Sequence, residues 1–189
     1  SNYGYCLLGR AIEKLSGMSY EAFSRQQILN PTGARTLAQG RTLPGLRQPG
    51  EVRYYTPLRG PSVFAGSLGM TVPSCYGGWN LEAMDSHGAW IASCVDLARF
   101  AVSFDGDRTL LKRSSLDLML AMPEGGAALD AQGKPKASVY VAGLARRETP
   151  AGTAYSHSGS LPGTSTLMMK RPDGRNWIVL FNARSSPAS

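Results

Sequence analysis

The sequence predicts an α+β domain, helical in its first part and an antiparallel sheet in its second. Three observations carry this. Apolar residues recur at helical spacing near the N-terminus and again after Trp90, and four short β-forming runs follow one another between residues 138 and 182. The links between those runs are too short for anything but antiparallel neighbours. A chain of 189 residues, 42% hydrophobic and 17% charged, is long enough for one domain with a sizeable core. No apolar run approaches the roughly 20 residues that a membrane span needs.

Leu7, Leu8, Ala11, Ile12 and Leu15 form an apolar stripe that predicts a helix from about Tyr3 to Leu15, capped by Ser1 or Asn2 and stopped by Gly17. Ser19 caps a second helix, Tyr20 to Leu29, ended by Asn30-Pro31. Residues 31 to 80 are rich in Gly and Pro and hold no period, apart from an extended piece at Glu51 to Tyr55. So long an irregular segment is expected to line a cleft or to move.

Ser93-Cys94-Val95-Asp96 matches a capping box with Asp in place of Glu. It starts a helix with Val95, Leu97, Ala98, Phe100, Ala101 and Val102 on its apolar face, closed by Phe104 to Asp107. A further helix starts at Ser114 or Ser115 and ends at Pro123. A Gly/Ala/Pro loop from Gly125 to Lys136 leads to strands at residues 138–145, 152–157, 164–171 and 176–182. Arg171-Pro172-Asp173-Gly174 is a tight turn between the last two. The domain therefore divides into a helical part, about 1–123, and antiparallel strands, about 138–182.

The net charge is +7, with the basic residues scattered, which suits an anionic partner or simple solubility. Arg35, Arg41, Arg47, Arg53 and Arg59 lie six apart near Tyr54 and Tyr55, but no nucleic-acid motif accompanies them and no nucleic-acid partner is expected. Cys6, Cys75 and Cys94 form no C-x-x-C pair and no metal spacing with His87 or His157, so they read as buried apolar thiols and no metal is expected. The chain opens on Ser1 inside a patterned helix, without an initiator methionine, and is expected to be cut from something longer.

The chemistry centres on residues 154–163, Ala-Tyr-Ser-His-Ser-Gly-Ser-Leu-Pro-Gly. His157 is expected at a strand end running into a glycine-rich turn, where an imidazole, a hydroxyl and backbone N–H groups share one small cavity. The plainer alternative is a β-turn with a surface histidine. His87, in Met84-Asp85-Ser86-His87-Gly88, reads as a turn histidine.

These features together resemble the serine β-lactamase and penicillin-binding-protein superfamily, in its branch of class C β-lactamases, esterases and D,D-peptidases. The superfamily carries Ser-x-x-Lys, a Ser-Asp-Asn type motif and Lys-Thr-Gly. Ser1-Asn2 looks like the end of the branch's Tyr-x-Asn, and His157-Ser158-Gly159 like a His-x-Gly form of Lys-Thr-Gly. Ser93 to Phe100 is similar to the helix start that precedes the final strands. The resemblance spans nearly the whole chain, though not its nucleophile. None of Lys14, Lys112, Lys134, Lys136 and Lys170 has a serine three residues earlier, Thr109 before Lys112 being the nearest approach, and there is no G-x-S-x-G.

The resemblance implies a partial β-lactamase/transpeptidase-like fold, with the nucleophile region and the C-terminal helix absent. It implies an acyl-enzyme hydrolase of an amide or ester (a β-lactam, a D-Ala-D-Ala peptide or a small ester), without cofactors, and a periplasmic or extracellular setting. Asn2 would hold the catalytic lysine and the substrate amide, and His157 would replace the family's second lysine. Ser158 would bind a substrate carboxylate and the Ser160 N–H would serve the oxyanion, with Gly159 between them. A non-catalytic module that binds peptidoglycan or another partner is the alternative. An uncovered sheet face is expected to self-associate or to receive a missing N-terminal piece.

Overall fold

The computed structural model describes residues 1–105 and 110–184; the expectations for Asp107, Thr109 and the residues after Arg184 lie outside them. Its helices are α1 (Asn2–Ser16), α2 (Tyr20–Ser24), α3 (Asn30–Thr32), α4 (Cys94–Val102) and α5 (Arg113–Leu120). The strands are β1 (Ala38–Gln39), β2 (Arg59–Pro61), β3 (Thr71–Pro73), β4 (Trp90–Ile91), β5 (Val139–Tyr140), β6 (Ala145–Thr149), β7 (Gly152–Leu161), β8 (Thr164–Lys170) and β9 (Asn176–Phe181). No helix among the described residues is long and apolar enough to cross a membrane.

Strands β5 to β9 form one antiparallel meander in sequence order. It has five strands, not the four expected. The stretch read as one strand at 138–145 turns back on itself, Val141 N–H donating to the Leu144 carbonyl at 2.8 Å, and β6 then runs through Ala-Arg-Arg-Glu-Thr. The expected turn at Arg171–Gly174 is present, with Gly174 at φ 79° and its N–H on the Arg171 carbonyl. Residues 51–55 form no strand; Tyr55 makes a single bridge to Ala183.

One face of the meander is covered. Met168 is buried with Ala101, Val141 and Leu144, and Phe100, Met119, Leu120, Tyr155 and Ile178 close around them. A second cluster of Leu29, Ala34 and Leu37 joins the first through Phe100 of α4. On the opposite face of β9, Trp177, Val179 and Phe181 alternate with the covered residues and remain exposed.

Ser1 caps α1 by accepting from Gly4 N–H, and Gly17 ends it in the left-handed conformation. The expected stripe does not face the core: Leu7, Leu8, Ala11 and Leu15 are exposed. The helix instead closes through its one buried residue, Gly9, onto the 3₁₀ turn Asp85–His87, where a Cβ at position 9 would collide with Ser86. After α2 the chain makes a π turn, Arg25–Leu29, and continues as α3 through Pro31 to Gly33. The wider turn accommodates a proline that lacks an N–H and would clash with the carbonyl behind it, so the helix passes the expected stop. α5 begins at Arg113, ahead of Ser114, its first N–H groups left without a side-chain cap because Lys112 has nothing to accept with.

The irregular segment is pinned by buried polar bonds. Thr42 is almost fully buried and is held at N and Oγ1 by Glu82, while its hydroxyl accepts from Leu81 N–H. Burial alone would push the Glu82 carboxyl up, but the Thr42 bonds outweigh it and hold it below its ordinary value.

Ser93 caps α4, accepting from Asp96 N–H at 3.1 Å, but Asp96 does not complete the expected box. Its carboxylate, 1% exposed, accepts from both N–H and hydroxyl of Thr36 and from Arg99 at 2.6 Å. Burial would raise its pKa, yet these bonds prevail and depress it. That stabilisation is present above the ordinary carboxylate value of about 3.9 and is lost as pH falls through the depressed one. Asp96→Ala, which strands the Thr36 donors, is expected to cost about 2 kcal/mol in urea denaturation at pH 7. Asp96→Asn should flatten the acid limb of the stability–pH curve; an unchanged acid limb would remove Asp96 from this role.

Candidate functional site at the open edge of β7

His157 lies in mid-strand. β7 continues through Ser158, Gly159 and Ser160 to Leu161, and the turn falls at Pro162–Gly163, which corrects the expected strand end. The reason is pairing: β8 follows β7 all the way from Tyr155↔Lys170 to Leu161↔Thr164. On the other side β6 stops at Ala145↔Ser156. Among the described residues β7 therefore has, from His157 onward, a strand partner on one side only, and a backbone edge without a strand partner can pair with a ligand strand or carbonyl.

Strand alternation separates the side chains expected to work together. His157 and Gly159 share the face of Met168, and Ser158 and Ser160 point to the other. His157 is exposed, and its Nδ1 lies 2.6 Å from the Gly143 carbonyl, so that nitrogen carries the proton and donates. Gly143 adopts φ 87°, which aims this carbonyl from the β5–β6 turn. Tyr140 sits 6.5 Å from the imidazole, ring to ring. Burial, and then the Tyr5 phenol beside it, push the Tyr140 hydroxyl above its ordinary value.

Tyr5 is thus the link to α1, and Asn2 lies one turn before it. Asn2 and His157 share no hydrogen bond among the described residues. The Asn2 amide is exposed and, among the described residues, has no hydrogen-bond partner; Ser1 has taken the capping role. Sequence reasoning overlooked Tyr5 and Tyr140. Their only signal was position: Tyr5 stands at i+3 from Asn2, on the same side of the helix.

Gly159 is closely packed: a Cβ there would lie 2.6 Å from Thr166 Oγ1, and that hydroxyl would have to move. The turn beyond it is clamped by the irregular segment. Gly163, buried at φ 83°, is packed so that a Cβ would lie 3.0 Å from Cys75 Cβ and 3.1 Å from Tyr54 Cβ. Tyr76 Oη accepts from Tyr54 N–H, and Asn182 Nδ2 donates to the Arg53 carbonyl. His87 is elsewhere, beside Cys6. Cavities of about 410 and 380 Å³ lie against the sheet, and no candidate residue lines either. Among the described residues no group of three or more His, Cys, Asp or Glu is placed to hold a metal ion.

A family model described as Beta-lactamase matches residues 1–189. No curated protein sequence matches the chain. Similar solved structures include an octameric penicillin-binding protein homologue from Pyrococcus abyssi (22% identity, TM-score 0.68), covering 98% of this chain and 39% of its own. A D-amino acid amidase from Ochrobactrum anthropi SV3 complexed with L-phenylalanine (23%, 0.70) covers 99% and 50%. A penicillin-binding protein from Bacillus halodurans (15%, 0.66) covers 98% and 51%. The chain thus has part of the β-lactamase/transpeptidase fold and spans about half or less of these structures.

Gly163→Ala combines a left-handed backbone with two tight contacts and is expected to cost about 2 kcal/mol, read as a lowered melting temperature. Gly125→Ala, with nothing within 4 Å of the added Cβ, is the control and should leave it in place. Equal melting temperatures for the two variants would discard the clamp.

Proposed function

The chain belongs to the Beta-lactamase family, and from that premise we propose that it forms the substrate-facing part of a serine hydrolase acting on an amide or ester. The open edge of β7 carries this reading. A serine oxygen attacks the substrate carbonyl, its proton passes to a neighbouring base, and the amine or alcohol leaves; water then releases the acyl group. The serine and its base are not among these 189 residues, which hold no Ser-x-x-Lys pair. What these residues supply is placement. Ser160 N–H, on the strand that β6 leaves uncovered, is the oxyanion donor, and the free Asn2 amide holds the acyl amide and the catalytic lysine.

His157, fixed through Nδ1 by the Gly143 carbonyl, presents Nε2 to the substrate or to the catalytic tyrosine. Ser158 faces the other side of the strand, so a carboxylate reached by both would have to straddle the edge. The substrate class is a β-lactam, a D-Ala-D-Ala peptide or a small ester. The same reading covers partners: the uncovered Trp177, Val179 and Phe181 suit self-association, and one structural relative is octameric.

In the complete protein, a fluorescent penicillin or a fluorophosphonate should label a serine that these 189 residues expressed alone do not provide. Labelling of the isolated chain at a mapped serine would sink the assignment. In the same complete protein His157→Ala should lower kcat/KM towards a chromogenic cephalosporin or a p-nitrophenyl ester by roughly 10²-fold. Wild-type kinetics would leave a surface histidine, and no turnover by the native protein would favour the binding module.

A further inference from the structure

Cys6 and His87 are 81 residues apart in sequence, yet Cys6 Sγ and His87 Nδ1 are 2.7 Å apart. The pair is built by a tight approach of Gly9 of α1 to Ser86, where an added Cβ would collide. Ser86 Oγ is buried there and, among the described residues, has no hydrogen-bond partner. Arg10 to Asp85 and the Trp90 indole to the Asp85 carbonyl hold the 3₁₀ turn in place. His87 is therefore fixed, and its ring faces a thiol that is half-buried but reachable.

The other two cysteines show what is special here. Cys75 donates only to the Tyr54 carbonyl, 3.8 Å away, which cannot take its proton, and burial pushes its thiol up. Cys94 is exposed at the start of α4, and among the described residues no base approaches it. Among the described residues, of the three thiols it is Cys6 that meets a base. None of the three is fully buried, so the expectation of buried apolar thiols is corrected as well.

We propose that Cys6 and His87 form a thiol–imidazole pair that serves as a covalent modification site for small disulfides. With the ring proton on Nε2, Nδ1 accepts the thiol proton and leaves a thiolate. The thiolate attacks one sulfur of the disulfide; the new Cys6 S–S bond forms as the old one breaks, and the departing thiolate takes the proton back from His87. Cys6 is oxidised and the released half of the reagent is reduced, so no further oxidant is needed.

The test is the rate at which oxidised glutathione adds to each cysteine of the intact protein at pH 7, read by peptide mass spectrometry. Cys6 is expected to react about tenfold faster than Cys94 although it is less exposed. His87→Ala should bring Cys6 down to the Cys94 rate or below while leaving Cys94 unchanged. His87→Gln, which keeps an acceptor but takes up no proton, should do the same. A Cys6 no faster than Cys94, or one that either folded variant leaves unslowed, would overturn the proposal. If both variants unfold, seen as all three cysteines reacting at one rate, the native Cys6 to Cys94 ratio decides.

Discussion

The sheet depends on one buried ammonium. Lys170, at the end of β8, is 9% exposed, and its three N–H donors are all used: on the Ala101 carbonyl at 2.9 Å, Asp105 Oδ1 at 2.7 Å and Asn176 Oδ1 at 3.2 Å. The first of these is in the last turn of α4, where the helix dipole favours a cation. Phe104 closes over it at 6.0 Å. One side chain thus fastens α4 across β8 and β9, which lets Met168 and Ile178 be covered by Ala101 and Phe100. A lysine in the middle of an apolar core would be costly; here every donor is satisfied, and the helix is fixed in register.

The site follows from what that arrangement leaves unpaired. Because β8 is clamped, β7 is held from Tyr155 to Leu161 on that side, and the early end of β6 opens the other. The groups proposed for the site come from three distant parts of the chain. α1 supplies Asn2 and Tyr5, the β5–β6 turn supplies the Gly143 carbonyl, and β7 supplies His157. A backbone edge at such a junction can present N–H groups rigidly, which a loop cannot do as well.

Legibility in the sequence tracked how local each signal was. The meander, the Arg171–Gly174 turn and the caps at Ser19 and Ser93 are short-range, and were readable from apolar runs and turn residues. β6 was missed because Ala-Arg-Arg-Glu-Thr is charged, its pairing being set by the turn before it. The α1 stripe was legible as an apolar helix face, but its exposure was not, since periodicity shows that a helix has an apolar face without showing what covers it. His157 was misplaced along its strand, because glycine at 159 was taken for a turn when it sits in mid-strand, close against Thr166. The contacts Asp96–Thr36 and Cys6–His87 span 60 and 81 residues and carry no local signature at all.

The bond between Asn182 and Arg53 spans 129 residues, while each strand of the meander pairs with its neighbour in sequence. Loop closure grows by about 0.6 kcal/mol per doubling, so this tie demands roughly 3 kcal/mol more chain entropy than a hairpin turn of a few residues. The meander can therefore assemble on local contacts while the Tyr54 clamp on Gly163 waits for the two halves of the chain to meet. The edge of β7 is in this sense joined from two kinds of contact: a strand held by its sequence neighbours, and a far end stiffened by a tie that the rest of the chain has to bring together.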